Sequence, residues 1–416
     1  MWITLAWICA AAVSLVSLKY FTIPYLWIFL AGAIALFVTA AMDRGRRPLW
    51  FNLACLGVGL GVFEYHTWAS GDRGFAAYRV SGGTYDEHLV PHEELGWALP
   101  PGSVVTQKLS FGGELLYDAT YTIGPDGLRI SSPAEHGHER STECALFFGD
   151  SFTFGQGLAD HEALPFRVHE ESAQRYRTYN FGLNGYGAHQ MLSALQHRLV
   201  REAVQCDREQ VTHVFYQAIT GHLGRSAGRV WWETRGPRYV LTEDGGVRFA
   251  GSFKDEENYD EDRSLVDILG TQIFKSMIYQ KIVQGTYVHK YSRDVIDLYL
   301  EIIDEARETA RADYPAAAFH VLLWDEDNAD NRAIREGLRQ RGITLHLMSD
   351  ILPNYRADDL NEEYRIHVRD PHPNALANEL IARYVIREIL GEPGLEPEVS
   401  ADDPAPRSAT RPPRRS

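Results

Sequence analysis

The stretch Cys144-Ala145-Leu146-Phe147-Phe148-Gly149-Asp150-Ser151-Phe152 decides the fold. Ala145 to Phe148 is an apolar run of strand length, stopped by a glycine. A run with no polar alternation reads as a strand buried on both faces. Ser151 follows at once, and Thr153, Gly155 and Gly157 keep the next loop small enough for another molecule to approach its backbone. Taken alone, Gly-Asp-Ser is a turn with a helix cap. The residues around it must decide whether it is more.

Downstream, apolar runs alternate with amphipathic stretches. Strands are expected at Thr178 to Phe181, Val211 to Ile219, Ala318 to Trp324 and Thr344 to Met348. Helices are expected at His161 to Gln174, Ala188 to Ala203, Asn331 to Arg341 and Ala375 to Leu390. Strands alternating with helices imply an α/β domain with a parallel sheet covered on both faces, with its site at the carboxyl ends of the strands. The alternation breaks at about 226–315, which reads as an insertion. There Gly245-Gly246 suggests a hairpin, Glu256 to Asp262 a charged loop, and Ser264 to Ile282 and Ser292 to Ala312 helices.

Upstream, residues 69–142 are rich in Gly, Thr, Tyr and turn signals such as Pro100-Pro101-Gly102 and Pro125-Asp126-Gly127, the marks of a small β-rich lead-in. Residues 1–68 read as a membrane anchor of two to three transmembrane helices. Trp2 to Leu18 and Phe21 to Met42 are split only by Lys19, and a shorter apolar run spans Leu49 to Phe63. Arg44, Arg46 and Arg47 should stay cytoplasmic, which puts everything after a third spanning helix outside. A multi-pass protein of the cytoplasmic membrane follows, its catalytic part facing the periplasm or the cell exterior. The tail, residues 391–416, is rich in Pro, Ala, Ser and Arg and is expected to be disordered.

The chain of 416 residues is 45% hydrophobic and 23% charged, enough to bury a large core. Its net charge of -15 argues against a nucleic-acid partner. Cys9, Cys55, Cys144 and Cys206 are few and scattered, with no visible disulfide framework, and leave the redox compartment open. No metal site and no cofactor are expected.

A serine hydroxyl is a poor nucleophile without a base. The best candidate base is His372 in Arg369-Asp370-Pro371-His372-Pro373-Asn374, where Asp370 is close enough to orient the imidazole. His367 and His222 are the alternatives. The oxyanion of a tetrahedral intermediate needs donors, and Asn180-Phe181-Gly182-Leu183-Asn184-Gly185 can offer a backbone N–H at Gly185.

These segments, in this order, resemble the SGNH (GDSL-like) family of serine hydrolases and O-acyltransferases. The resemblance covers about Cys144 to Leu390 and implies a flavodoxin-like doubly wound parallel sheet. It implies Ser151 as nucleophile, Asp370 and His372 as its partners, and the amides of Ser151 and Gly185 as oxyanion donors. Asp370-Pro371-His372 is one residue shorter than the family's Asp-x-x-His. The family's asparagine after the third strand is missing from Gln217-Ala218-Ile219-Thr220-Gly221-His222-Leu223-Gly224-Arg225, and Thr220 or His222 is the candidate to replace it.

The expected function is a membrane-anchored serine esterase removing O-acyl, above all O-acetyl, groups from a cell-envelope glycan or exopolysaccharide through an acyl-enzyme. Two alternatives stand beside it. One is an O-acetyltransferase of the same glycan, which would need a membrane partner to deliver acyl groups. The other is an impaired glycan-binding or assembly component, favoured by the missing asparagine. Nine tryptophans and 21 tyrosines, Trp231-Trp232 and Tyr186 among them, offer surfaces for stacking on sugars.

Overall fold

The computed structural model describes residues 2–20, 24–69, 79–111, 114–132, 141–230, 232–255, 291–355, 362–368 and 370–391. The expected charged loop from Glu256, the helix from Ser264 and nearly all of the tail fall outside the described residues.

Three helices open the chain: α1 (Trp2–Tyr20), α2 (Pro24–Met42) and α3 (Arg47–Ala69). Among the described residues only Tyr25–Met42 within α2 is long and apolar enough to cross a membrane by itself, and Trp2–Ser14 is a shorter apolar helix. Trp2, Ile8, Ile34, Leu56 and Val62 stand exposed on these helices.

The lead-in strands β1 (Arg79–Gly83), β4 (Val104–Phe111) and β5 (Glu114–Thr122) form an antiparallel sheet in the order β1-β4-β5, and β2 (Val90–His92) pairs with β3 (Gly96–Ala98) in a separate hairpin. A short helix, α4 (Tyr85–His88), lies between β1 and β2. Strand β5 alternates buried and open residues from Tyr117 to Tyr121, as a sheet with one buried face must. That face shares a core with Phe154, Leu183 and Tyr186 of the next unit.

The central sheet is built from β6 (Glu143–Phe148), β7 (Tyr176–Asn180), β8 (Val211–Ala218), β11 (Ala318–Leu323) and β12 (Thr344–Leu347), all parallel. Its spatial order, β7-β6-β8-β11-β12, is that of a doubly wound sheet whose direction reverses between β6 and β8. Alternate residues feed two cores. Leu146, Phe148, Val214, Tyr216 and Val321 face α7 (Ala188–Gln196) and the long helix α10 (Arg293–Asp313), while Ala145, Phe147, Phe215 and Leu322 face α6 (Leu164–Glu171) and α13 (Ala375–Tyr384). The five expected strands are present, with ends moved by one or two residues.

The helices differ more. The run Ala188 to Ala203 breaks into α7 and α8 (Leu199–Ala203), because Arg198 sits at φ 65°, a left-handed residue that ends a helix. Helix α9 (His222–Ser226) leads into the insertion, which carries a hairpin of β9 (Pro237–Leu241) and β10 (Val247–Ser252). Helix α11 (Ala329–Gln340) begins before Asn331 because Asn328 accepts a bond from the Asn331 N–H and caps it. Helix α12 (Met348–Ile351) follows β12, and the short strands β13 (Arg365–His367) and β14 (Asp370–Pro373) precede α13.

The cysteines are not all unpaired. Cys144, at the start of β6, is bonded to Cys206 beyond α8, with Cα atoms 6.6 Å apart. Sequence spacing hides the pair because 62 residues and a whole strand-helix unit separate its halves. Closing a loop of that length should contribute about 4 kcal/mol. A Cys206→Ser variant, or the reduced protein, is expected to unfold at a clearly lower urea concentration than the oxidised wild type. Equal midpoints would show that the bond does not brace the fold.

Three histidines cross the sheet on its α6/α13 side. His213 Nδ1 lies 3.3 Å from His320 Nε2, His320 Nδ1 lies 3.2 Å from His346 Nε2, and His346 Nδ1 lies 2.9 Å from the Tyr384 hydroxyl. They lie on the same face of adjacent parallel strands, each offset by two residues from the next, with His213 opposite Ala318 and His320 opposite Thr344. Each ring-to-ring contact needs one donor and one acceptor nitrogen, so two adjacent rings cannot both be protonated, and three neutral rings satisfy the row by pointing their N–H groups the same way. Burial holds all three below the usual histidine range, and pushes His320, flanked by the other two, down to about 3.

Candidate active site

Ser151 opens the short helix α5 (Ser151–Phe154) directly off the carboxyl end of β6. The turn between them is tight. A Cβ on Gly149 would fall 2.2 Å from Thr153 Oγ1 and 3.0 Å from the Gln217 carbonyl oxygen, so only glycine lets α5 sit this close to the sheet. Asp150 caps α5 by accepting from the Phe152 N–H at 2.9 Å. Asn180 braces the neighbouring loop, donating to the Thr153 carbonyl at 3.1 Å and accepting from the Gly182 N–H at 3.1 Å.

His372 Nε2 lies 2.9 Å from Ser151 Oγ. Its Nδ1 meets Asp370 Oδ1, which also accepts from the His372 backbone N–H at 3.0 Å. A carboxylate only accepts, so Nδ1 carries the proton and Nε2 is left to accept from the serine hydroxyl. The one-residue spacer Pro371 therefore suffices, since Asp370 folds back onto the backbone N–H and the ring Nδ1 of the same histidine. Asp370 is 2% exposed and Ser151 6%, so the group is shielded yet reachable. Ser151, Asp370 and His372 are thus brought together across 221 residues of sequence.

The other candidates go elsewhere. His367 on β13 faces Glu114 of β5 at 3.6 Å. His222 is fully buried, its Nδ1 2.6 Å from the Tyr216 hydroxyl and its Nε2 3.2 Å from Asp150 Oδ2, and burial lowers its pKa. It therefore underpins Asp150 and has no face toward a substrate. The Thr220 hydroxyl accepts from Asn331 Nδ2 at 3.1 Å. Among the described residues neither bonds to Ser151 or His372.

Gly185 sits at φ 90°, a left-handed backbone, and a Cβ there would lie 3.1 Å from both Trp232 Nε1 and Trp97 Cζ2. The indoles close over the turn. Trp97 Nε1 donates to the Asn184 carbonyl at 3.2 Å, and the Tyr186 hydroxyl donates to the Trp97 carbonyl at 2.5 Å. Gly185→Ala keeps the N–H but strains the left-handed turn and presses a Cβ on both indoles, and the displaced amide is expected to lower kcat on an activated ester by up to about 100-fold, the cost of one oxyanion donor. A variant with wild-type kcat would remove the Gly185 amide from the mechanism.

Arg225 and Arg129 carry no motif and are invisible in the sequence. Arg225 Nη1 donates to Asp150 Oδ2 and to the Tyr186 carbonyl, both at 2.7 Å. Burial alone would raise the Asp150 pKa, but the Arg225 guanidinium and His222 reverse this and hold the carboxyl below the usual range. The fully buried Arg129 side chain pairs with Asp160 at 2.9 Å and donates to the carbonyls of Phe154, Gly155 and Leu158 at 2.7, 2.7 and 2.8 Å, fixing the end of α5. A largely apolar cavity of about 380 Å³ lies behind this loop, lined by Phe148, Gly149, Phe154, Gly182 and Leu183. Neither Ser151 nor His372 lines it.

No family model matches the sequence, and no curated protein matches it. Among solved structures the chain is similar to an acetyl xylan esterase from the rumen bacterium Butyrivibrio proteoclasticus, with 13% identity over 60% of this chain and 64% of that one and a TM-score of 0.33. A carbohydrate acetylesterase family member from Sinorhizobium meliloti gives 11% identity over 60% and 99% of the two chains, with a TM-score of 0.31. A carbohydrate esterase family 2 enzyme from Corynascus thermopiles gives 13% identity over 69% and 77%, with a TM-score of 0.32. Scores this low do not identify an activity, and the chemistry rests on the geometry of the site.

Proposed function

We propose that the protein is a serine esterase that removes O-acyl groups, above all O-acetyl groups, from a cell-envelope glycan, and that it is held in the cytoplasmic membrane by α1 to α3 with its α/β part outside. The observation that carries the reading is Ser151 Oγ at 2.9 Å from a His372 whose other nitrogen is engaged by Asp370. His372 Nε2 takes the Ser151 proton as Oγ forms a bond to the ester carbonyl, and the amides of Ser151 and Gly185 receive the oxyanion. The C–O bond to the leaving alcohol breaks as that alcohol takes the proton from Nε2. Water then attacks the acyl-enzyme with His372 as base and releases the carboxylic acid.

The outward orientation draws support from Arg44, Arg46 and Arg47 between α2 and α3, and from the Cys144–Cys206 bond, which persists in oxidising compartments. The indoles at Gly185 suit a sugar acyl ester better than a flexible lipid. A transferase reading differs only in the acceptor of the acyl group, a glycan hydroxyl in place of water. The test is covalent labelling of the full-length protein by a fluorophosphonate, followed by acetate release from an acetylated polysaccharide with and without added acceptor sugar. Wild-type labelling no greater than that of Ser151→Ala would end the serine-enzyme reading. Release that falls as acylated acceptor accumulates would assign the transferase.

A further inference from the structure

The chain lacks the side-chain amide that the family resemblance places after the third strand, and after that strand it carries Arg225, which bonds to the loops on either side of the site. Helix α9 follows β8 and carries Arg225, whose side chain is 14% exposed, back over the site. One nitrogen, Nη1, has two hydrogens and two acceptors: Asp150 Oδ2 and the Tyr186 carbonyl oxygen, each at 2.7 Å. Asp150 immediately precedes Ser151, and Tyr186 immediately follows Gly185. The two loops that offer oxyanion amides are therefore tied together beside both donors. Asp150 is committed to this link, because its other oxygen caps α5 through the Phe152 N–H. A two-amide hole has no side chain to make up for misplacement, so it depends on the separation of its two N–H groups.

We infer that Arg225 is a positioning residue for the oxyanion hole, holding the Ser151 and Gly185 amides at their working separation in place of the missing asparagine. This rests on the serine-esterase reading above. Lysine does not substitute for it, since its ammonium ends one bond short of Nη1 and lacks the planar fork that meets both acceptors.

The test uses full-length protein in detergent, with 4-nitrophenyl acetate for turnover and a fluorophosphonate for labelling, whose phosphoryl oxygen occupies the same hole. Arg225→Ala is expected to lower kcat and the labelling rate by about 100-fold, with KM changed less than about threefold, and to melt earlier because buried Asp150 loses a partner. Added guanidinium ion at tens of millimolar should restore at least a tenth of the lost rate. It should do nothing for Asp150→Asn/Arg225→Ala, which lacks the carboxylate that would hold it. If Arg225→Ala fails to fold for want of a partner to buried Asp150, Arg225→Lys is read in its place, and a kcat drop of tenfold or more at unchanged KM supports the inference. Wild-type rates in either variant overturn it while leaving the esterase reading intact. So does a slow Arg225→Ala that guanidinium does not rescue, which is mere structural damage. A wild type that labels no better than Ser151→Ala overturns the parent reading and this one together.

Discussion

Ser151→Ala is expected to lower ester hydrolysis by about 10⁴-fold or more and to abolish fluorophosphonate labelling. His372→Ala should cost nearly as much, and the double variant no more than the worse single one, because nucleophile and base act as a unit. The 2.9 Å approach of Oγ to Nε2 makes the prediction specific. Without Nε2 the hydroxyl has no acceptor for its proton, and without Oγ the base has nothing to activate. Asp370→Asn tests the third member differently. An asparagine can present its NH2 to Nδ1, which favours the tautomer with the proton on Nε2, where it must accept from serine, and a loss near 10⁴-fold is expected. Turnover of 4-nitrophenyl acetate by the four proteins, with unchanged melting temperatures, checks the set. Additive losses, or a Ser151→Ala variant that still labels, would show that the nucleophile is elsewhere.

The second large effect is on stability. The row His213, His320, His346 is neutral in the folded protein, whereas each of these histidines in the unfolded chain protonates near its ordinary value of 6.5. Below that pH the unfolded chain takes up protons that the folded one refuses, until His320 itself titrates near 3. Stability is therefore fully present above about pH 6.5 and is lost as pH falls toward 3, at up to about 1.4 kcal/mol per pH unit for each histidine that stays neutral. Glu143 eases the burden on His213, so His320 should dominate. Urea midpoints between pH 7 and 4.5 should fall steeply for the wild type. His320→Phe keeps a ring against Phe215, which stacks on His320 at 5.1 Å, but carries no titratable group. Its midpoint should fall less over the same range, and an equal fall would place the acid sensitivity elsewhere.

The strands and the order of the chemical residues were legible in the sequence because each is a local signal. Ala145 to Phe148 is apolar throughout, Ser151 follows Gly149-Asp150, and the Asp370 to Asn374 segment is stiffened by two prolines. The topology puts these local signals at one end of one sheet. What could not be read depends on side chains meeting over long separations. Arg225 looks like any helix cation until it reaches Asp150, 75 residues away, and Trp97 looks like a core residue until it lands on Asn184, 87 residues on. Cys144 and Cys206 look unrelated for the same reason. His222 is the reverse case. Its place in the sequence invites a role at the oxyanion, yet its strand end turns it inward against Tyr216 and Asp150.

The lead-in has a consequence for modularity. Arg129 holds the carbonyls of Phe154, Gly155 and Leu158 at and beyond the end of α5, and Trp97 closes over Gly185, so residues upstream of β6 brace the loops around Ser151. The parallel sheet is consequently not a portable cassette. Cut free at residue 142, or grafted behind a different N-terminal unit, it should keep its strands and lose the shape of its nucleophile loop. The lead-in strands, from Arg79 onward, therefore belong structurally with the loop that carries Ser151.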